Sequence, residues 1–348
     1  MWKRTWQAAL TVLVGLAGCA SPPPARDAEA LQRFEFAEPQ MGMPFRIILY
    51  APEAATAKAA ASAAFQRVAE LNAVLSDYDT DSELSRLSQT AGQGKAVPVS
   101  PVLWRVLRAA QALARRTGGA FDVTAGPYIS HWRKARRTKR LPTAEALARA
   151  GEGVGYGKLR LDSRSHTAEL TVPFMRLDLG GIAKGYALDE ALKVLRQRGL
   201  PHALVTGGGD MAAGEPPPGR RGWRIAVAAW AVTNALPPRF VDLRNTGLAT
   251  SGDVFQHLDI EGQRYSHIVD PRTGLGLTDH SQVTVIARNA MTADSLATAV
   301  SVLGPVAGLR LVEQTPGAAA LLTRQPGAKL EIHESKRWRA WQATSSID

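Results

Sequence analysis

Asp294 and Thr298 stand four residues apart in a run, Ala290 to Leu303, whose apolar spacing predicts a helix. That spacing turns a carboxylate and a hydroxyl in one direction. The pair suits a hard cation such as Mg²⁺, which keeps few protein ligands and takes the rest from phosphate and water. An Asp answering the dipole of a helix start has the same signature. A second candidate is Asp178 to Tyr186 (DLGGIAKGY), which follows a β-like run and opens a predicted helix. Such a start offers backbone amides to an anion, and Lys184 adds a point charge; a tight turn needing Gly180 and Gly181 for close packing reads the same way. Gly207-Gly208-Gly209-Asp210 follows a strand, and adjacent glycines let amides converge on a phosphate. It lacks the dinucleotide and P-loop spacings, and a plain turn also accounts for it. In Ser266 to Gly274 (SHIVDPRTG), His267 and Asp270 could supply a base and its partner, and Arg272 could pair with phosphate. A structural histidine before a Pro-Arg-Thr-Gly turn is the alternative. Ser, His and Asp also invite a hydrolase triad, but no Gly-x-Ser-x-Gly elbow is present.

These residues need elements to hold them. Strands are predicted at Phe45–Tyr50, Ala203–Thr206, Trp223–Val227, Phe240–Leu243, Leu248–Thr250, Tyr265–Val269 and Gln282–Ala287, with a hairpin from Leu159–Leu161 and Glu169–Val172. Helices are predicted at Ala54–Leu75, Glu83–Leu87 behind a Ser82 cap, Val102–Arg116 closed by Gly118-Gly119, Thr143–Ala150, Ala183–Arg198 ending at Gly199, and Ala290–Leu303. They do not alternate regularly enough for a doubly wound sheet, so the class is α+β. The basic segment His131–Arg140 reads as a solvated or membrane-facing loop; no nucleic-acid-binding fold surrounds it, so no nucleic-acid partner is expected.

With 348 residues, 45% of them hydrophobic and 21% charged, the chain can bury a sizeable core and is not wholly disordered. No apolar run after the N-terminus reaches the roughly 18 residues of a membrane span, which argues against a polytopic membrane protein. A single cysteine excludes a disulfide framework and a thiolate zinc cluster, and a net charge of +11 favours anionic partners. That cysteine, Cys19, follows Lys3, Arg4, a short apolar stretch from Ala8 to Leu16, and Leu16-Ala17-Gly18. Residues 1–18 therefore read as a secretory signal. The last four residues, through Cys19, resemble the lipobox of bacterial lipoproteins, in which the cysteine is lipidated. Residues 19–30, with Pro22-Pro23-Pro24, read as a tether ahead of a folded domain at 31–348. The expectation is an exported lipoprotein on the periplasmic side, anchored through Cys19; Ala20 favours outer-membrane sorting by resemblance to known sorting patterns.

The order of the blocks is more specific than any one of them. Met41-Gly42, Leu75 to Asp79 with Ser82 to Ser85, Gly119 to Asp122, Asp178 to Tyr186, the Gly207 cluster, Thr250 to Asp253, Ser266 to Gly274, Ala293-Asp294 and Ala297-Thr298 together resemble the ApbE family of FAD:protein FMN transferases. The resemblance runs from about Met41 to Leu303. It implies a two-lobed mixed fold with FAD between the lobes and Mg²⁺ on the pyrophosphate. A threonine hydroxyl of a target protein would attack the FMN-side phosphorus, and AMP would leave. Targets would be exported flavoprotein subunits of Rnf- and Nqr-type pumps or related reductases. Met41, Tyr78, Ala120, Phe121, Asp122, Asp178, Lys184 and Ile268 would line the FAD site. Asp294, Thr298 and the backbone carbonyl of Gly181 would hold Mg²⁺. His267 would assist deprotonation of the threonine, with Asp270 orienting it or itself acting as base.

Met43 stands where family members often carry Thr. The alternatives are an FAD pyrophosphatase or flavin store on the same site, or a non-catalytic lipoprotein with a basic binding face.

Overall fold

The computed structural model describes residues 31–227, 239–253, 257–327 and 329–342. The expected signal, tether and lipidated Cys19 lie outside the described residues. The chain opens with a hairpin, β1 (Gln32–Gln40) and β2 (Met43–Ala51), then α1 (Ala54–Leu75) and α2 (Glu83–Ser88). Next come β3 (Val97–Pro98), α3 (Pro101–Thr117), α4 (Gly126–Thr138), α5 (Ala144–Gly151), β4 (Leu159–Asp162) and β5 (Thr167–Leu170). The second half holds α6 (Ala183–Gln197), β6 (Ala203–Gly207), β7 (Asp210–Ala213), β8 (Trp223–Val227), β9 (Arg239–Leu243), β10 (Thr246–Gly252), β11 (His257–Ile260) and β12 (Gln263–Ser266). It closes with β13 (Ser281–Ala287), α7 (Ala290–Glu313), β14 (Ala319–Arg324) and β15 (Glu331–Glu334). The α+β expectation holds.

An eight-stranded antiparallel sheet, ordered β1-β2-β6-β7-β10-β13-β14-β15, is the frame. Side chains alternate across it as strand geometry demands. Ala203 and Val205 of β6, and Val283 and Val285 of β13, join the main core under α1, α6 and α7. Leu204 and Ile286 point to the other face, where the β8–β9 hairpin and fully buried Trp338 cover them. Both faces are covered, so every residue of β13 is buried. A third apolar cluster joins Tyr128, Trp132 and Ala135 of α4 to Leu258 of β11 and to Val269.

Local signals place several boundaries. Ser82 Oγ accepts from the Ser85 amide at 3.0 Å and caps α2; Gly118, at φ +58°, ends α3 in the left-handed region. The basic segment departs from expectation: Gly126–Thr138 is a helix, not a loop. Pro127 sits in its first turn, Tyr128, Trp132 and Ala135 bury one stripe, and Lys134 and Arg137 lie exposed, whereas Arg133 turns inward. The strand expected over Tyr265–Val269 stops at Ser266, and His267 lies in a bend. By length and composition α7 is apolar enough to cross a membrane, but 56% of its apolar window is buried. It packs on β10 and β13, and it breaks at Gly304 (φ +71°) before Pro305.

The start of α7 sets the height of Asp294 and Thr298. Asn289 caps it, its Oδ1 accepting from the Thr292 amide at 2.8 Å. Asp189 of α6 adds a second clamp, accepting from the Ala290 and Met291 amides at 2.8 and 2.9 Å. Burial pushes the Asp189 carboxyl up to about 6 from 3.8, against the pull of those two amides. An acid harder to ionise in the fold than in the unfolded chain favours folding while protonated. That contribution is complete below pH 3.8 and is lost as pH rises through 6. For this half-buried group we expect wild type to lose about 2 kcal/mol relative to Asp189→Asn between pH 4 and 7. Denaturant midpoints of the two proteins across that range check it; parallel curves would contradict it.

Candidate active site

One end of the sheet gathers the sequence motifs. Met41, at φ +49°, and Gly42 form the β1–β2 turn. The register pairs Phe45 with Gly207, and Gly207 with Asp210 across the β6–β7 turn. The Thr250 amide of β10 donates to Asp210 Oδ1 at 3.3 Å. Lys184, from the first turn of α6, reaches into this corner. Its Nζ lies 3.0 and 3.2 Å from the two Asp294 oxygens, 2.8 Å from the Gly180 carbonyl and 3.3 Å from Asp210 Oδ2. The Asp210 contact has the distance of an ion pair but not the direction of a hydrogen bond, so that buried oxygen has no hydrogen-bond donor. Burial works against the charge on Lys184, but Asp294 and Asp210 outweigh it and hold its pKa above that of an ordinary lysine. Burial also raises the Asp210 carboxyl to about 7 despite the ammonium beside it.

The expected anion cradle at the start of α6 differs from this arrangement. The Ile182 and Ala183 amides donate to the Leu179 carbonyl at 3.0 and 2.8 Å, and the Gly185 amide to Asp294 Oδ2 at 3.1 Å. Lys184 and the turn are thus organised around carboxylates. Gly185 permits this because a Cβ there would come within 2.2 Å of the Ala290 carbonyl oxygen, so α6 and α7 meet backbone to backbone.

Gly181 lies against Thr298. A Cβ on it would fall 2.9 Å from Thr298 Oγ1 and 3.3 Å from the Phe121 ring. Ser251 Oγ is 3.4 Å from the same Thr298 hydroxyl. Gly181, Ser251 and Thr298 thus lie together, while the Asp294 carboxylate, one helical turn before Thr298 on α7, is engaged by the Lys184 ammonium. The described residues contain no cluster of three His, Cys, Asp or Glu that could hold a metal. A carboxylate, a hydroxyl and a carbonyl nonetheless fit Mg²⁺, which fills its remaining positions with water and phosphate oxygens.

Asp178 sits on the other flank of the same turn, its Oδ1 accepting from the Gly180 amide at 2.8 Å. Its Oδ2 receives Arg133 NH2 at 2.7 Å, and the other nitrogen of that guanidinium bonds Asp77. Arg133 also lies over the Tyr78 ring, 4.1 Å from its centre, while Tyr78 itself is 75% exposed. Burial first, and the neighbouring Asp77 second, push the Asp178 carboxyl up to about 6; Arg133 pulls the other way. Ala120 and Phe121 are buried. Asp122 turns inward, taking the Thr124 amide and hydroxyl at 2.8 Å each, and burial raises its pKa.

His267 and Arg133 line one small cavity with Ser266, Trp132 and Leu258. Ile268 is buried, and its amide donates to Ser266 Oγ at 3.1 Å. Asp270 is engaged by Arg272, whose backbone amide and Nε donate to Oδ1 at 2.9 Å and whose NH2 donates to Oδ2 at 2.7 Å. Trp132 Nε1 donates to the Gly274 carbonyl at 2.8 Å, tying α4 to this turn. Sequence reading missed Arg133, Asp77 and the pair formed by buried Asp253 and His280, whose Nδ1 lies 2.6 Å from the carboxylate.

The ApbE family pattern matches residues 41–322, most of the chain. This chain belongs to the ApbE family. It is 34% identical over 261 residues to the FAD:protein FMN transferase of Haemophilus influenzae, covering 73% of this chain and 75% of that protein. It is 31% identical over 320 residues to the FAD:protein FMN transferase of Vibrio cholerae, covering 89% and 91%. In structure it is similar to the flavin transferase ApbE from Vibrio cholerae, with a TM-score of 0.81, 28% identity, and 89% and 99% of the two chains covered. The apo flavinyl transferase ApbE of Pseudomonas stutzeri gives a TM-score of 0.79 at 28% identity, covering 91% and 98%.

Proposed function

We propose that this ApbE-family chain is an FAD:protein FMN transferase that moves FMN from FAD to a threonine hydroxyl of an acceptor protein and releases AMP. The observation that supports the reading is the family match over residues 41–322, joined by Gly181 lying against Thr298 and Phe121 and by the contact of Lys184 with Asp294. Met41, Tyr78, Ala120, Phe121, Asp122, Asp178, Lys184 and Ile268 are assigned to FAD. Mg²⁺ held by Asp294, Thr298 and the Gly181 carbonyl would neutralise charge on the pyrophosphate.

The chain's own residues do the rest. Tyr78 offers an exposed aromatic face, and Asp178 accepts hydrogen bonds beside it. His267 takes the proton of the acceptor threonine as its oxygen bonds to phosphorus and the bond to AMP breaks, so AMP carries away the electron pair. Asp270 is assigned to shaping the turn, because Arg272 occupies both of its oxygens. The acceptors are exported flavoprotein subunits of Rnf- or Nqr-type pumps or related reductases. Residues 1–30 make the protein a lipoprotein, anchored to the membrane through Cys19 on the periplasmic side.

Acceptor-dependent AMP release, followed by chromatography, tests the reading. AMP should appear with FAD, Mg²⁺ and an acceptor carrying the threonine, and should fall to background when that threonine is replaced. Equal AMP without acceptor would point to a pyrophosphatase. Gly181→Ala probes the cation place separately, since its Cβ would press on Thr298. We expect the Mg²⁺ concentration for half-maximal rate to rise at least about tenfold. An unchanged Mg²⁺ titration would contradict the assignment of Gly181 and Thr298.

A further inference from the structure

Arg133 lies in the basic run, yet its side chain is only 23% exposed, and it makes three contacts. Its guanidinium bonds Asp77 and Asp178, whose side chains are 9% and 6% exposed, and it backs one face of the Tyr78 ring. A planar fork with donors on two edges can bridge two carboxylates and stack on a ring at once; a lysine ammonium cannot. We propose that Arg133 is a positioning residue for FAD, holding Asp178 in place and keeping the outer face of Tyr78 presented for an aromatic ring of the dinucleotide. The proposal rests on the FAD reading above.

The surroundings explain why such a residue is needed. The Ser76–Ser82 turn fixes its own backbone, since Ser76 Oγ accepts from the Tyr78 and Asp79 amides at 3.2 Å each. Arg176 adds a hydrogen bond to the Asp77 carbonyl at 2.7 Å. These contacts hold the turn but not the ring, which projects outward with 75% of its surface exposed. Arg133 covers its inner face and leaves the outer face open. Without the guanidinium, two nearly buried carboxylates would confront each other, and their repulsion would move the turn that carries Tyr78. Arg133 also shares a cavity with His267, and its neighbour Trp132 anchors the turn after His267. It therefore links the ring-stacking wall to the side of the site that carries the base.

The test uses residues 20–348 with Mg²⁺ and an FAD titration followed by flavin emission, which stacking on tyrosine quenches. Arg133→Met should weaken FAD binding at least about tenfold and reduce the quench of bound flavin, with the loss in FAD KM rather than in kcat. Adding Asp77→Asn to Arg133→Met removes the like-charge pair and should recover at least about threefold of the affinity. Arg133→Lys should stay close to Arg133→Met in affinity while keeping a wild-type melting temperature; it carries the test if Arg133→Met fails to fold. Wild-type FAD affinity and quench in folded Arg133→Lys or Arg133→Met would overturn the proposal, whatever the melting temperature does. Wild-type protein that neither binds FAD nor transfers FMN would instead overturn the functional reading on which this rests.

Discussion

Asp294→Ala is expected to lower Mg²⁺-dependent transfer by about 10³-fold, the scale seen when a group stabilising developing charge is removed. The carboxylate accepts the Gly185 amide and neutralises Lys184, and it is assigned to the proposed cation. Removing it leaves the ammonium with Asp210 and the Gly180 carbonyl, so Lys184 is not stranded. The stability cost should therefore fall at about 2–3 kcal/mol, below that of an orphaned buried charge. Asp294→Asn keeps the shape and loses the charge; its transfer should drop nearly as far while its stability stays closer to wild type. Transfer within tenfold of wild type in either variant would remove the metal from the account.

His267→Ala should reduce kcat by about 10²–10⁴-fold and leave FAD affinity within about twofold, because a base acts on the proton and not on dinucleotide binding. Asp270→Asn should cost far less, about tenfold, since Arg272 already occupies that carboxylate and the loss is one of turn geometry. The reverse order, with Asp270→Asn the more damaging, would move the base to Asp270.

What could be read from the chain beforehand follows from the range of the forces involved. Ala54–Leu75, the Ser82 cap, the Gly118 stop and the β4–β5 hairpin depend on neighbours a few residues away, and each forms, the second hairpin strand at Thr167–Leu170 starting two residues ahead of the expected Glu169–Val172. The expected end of the last long helix at Leu303 coincides with the break at Gly304. α4 was hidden because its cationic residues outnumber the stripe of Tyr128, Trp132 and Ala135, although that four-and-three spacing and Pro127 in the first turn were legible signals. β1 carries only a short period-two signal, in Phe34 and Phe36, among charged and polar residues. Arg133 reaches Asp77 and Asp178 across 56 and 45 residues, and Asp253 meets His280 across 27. Such pairs leave no local pattern; only the fold brings them together. The Lys184 cluster is intermediate. Its members stood in recognisable blocks, but that the lysine sits on Asp294 and Asp210, with the helix amides turned the same way, depends on how closely α6 approaches α7 at Gly185.

The intact mass of an acceptor domain bearing the target threonine, incubated with residues 20–348, FAD and Mg²⁺, decides whether FMN is transferred to that threonine. A gain equal to one FMN on that threonine, matched by one AMP released and abolished by EDTA, is the predicted result. FAD converted to free FMN and AMP while the acceptor mass stays constant, or FAD that is neither bound nor consumed, would contradict it.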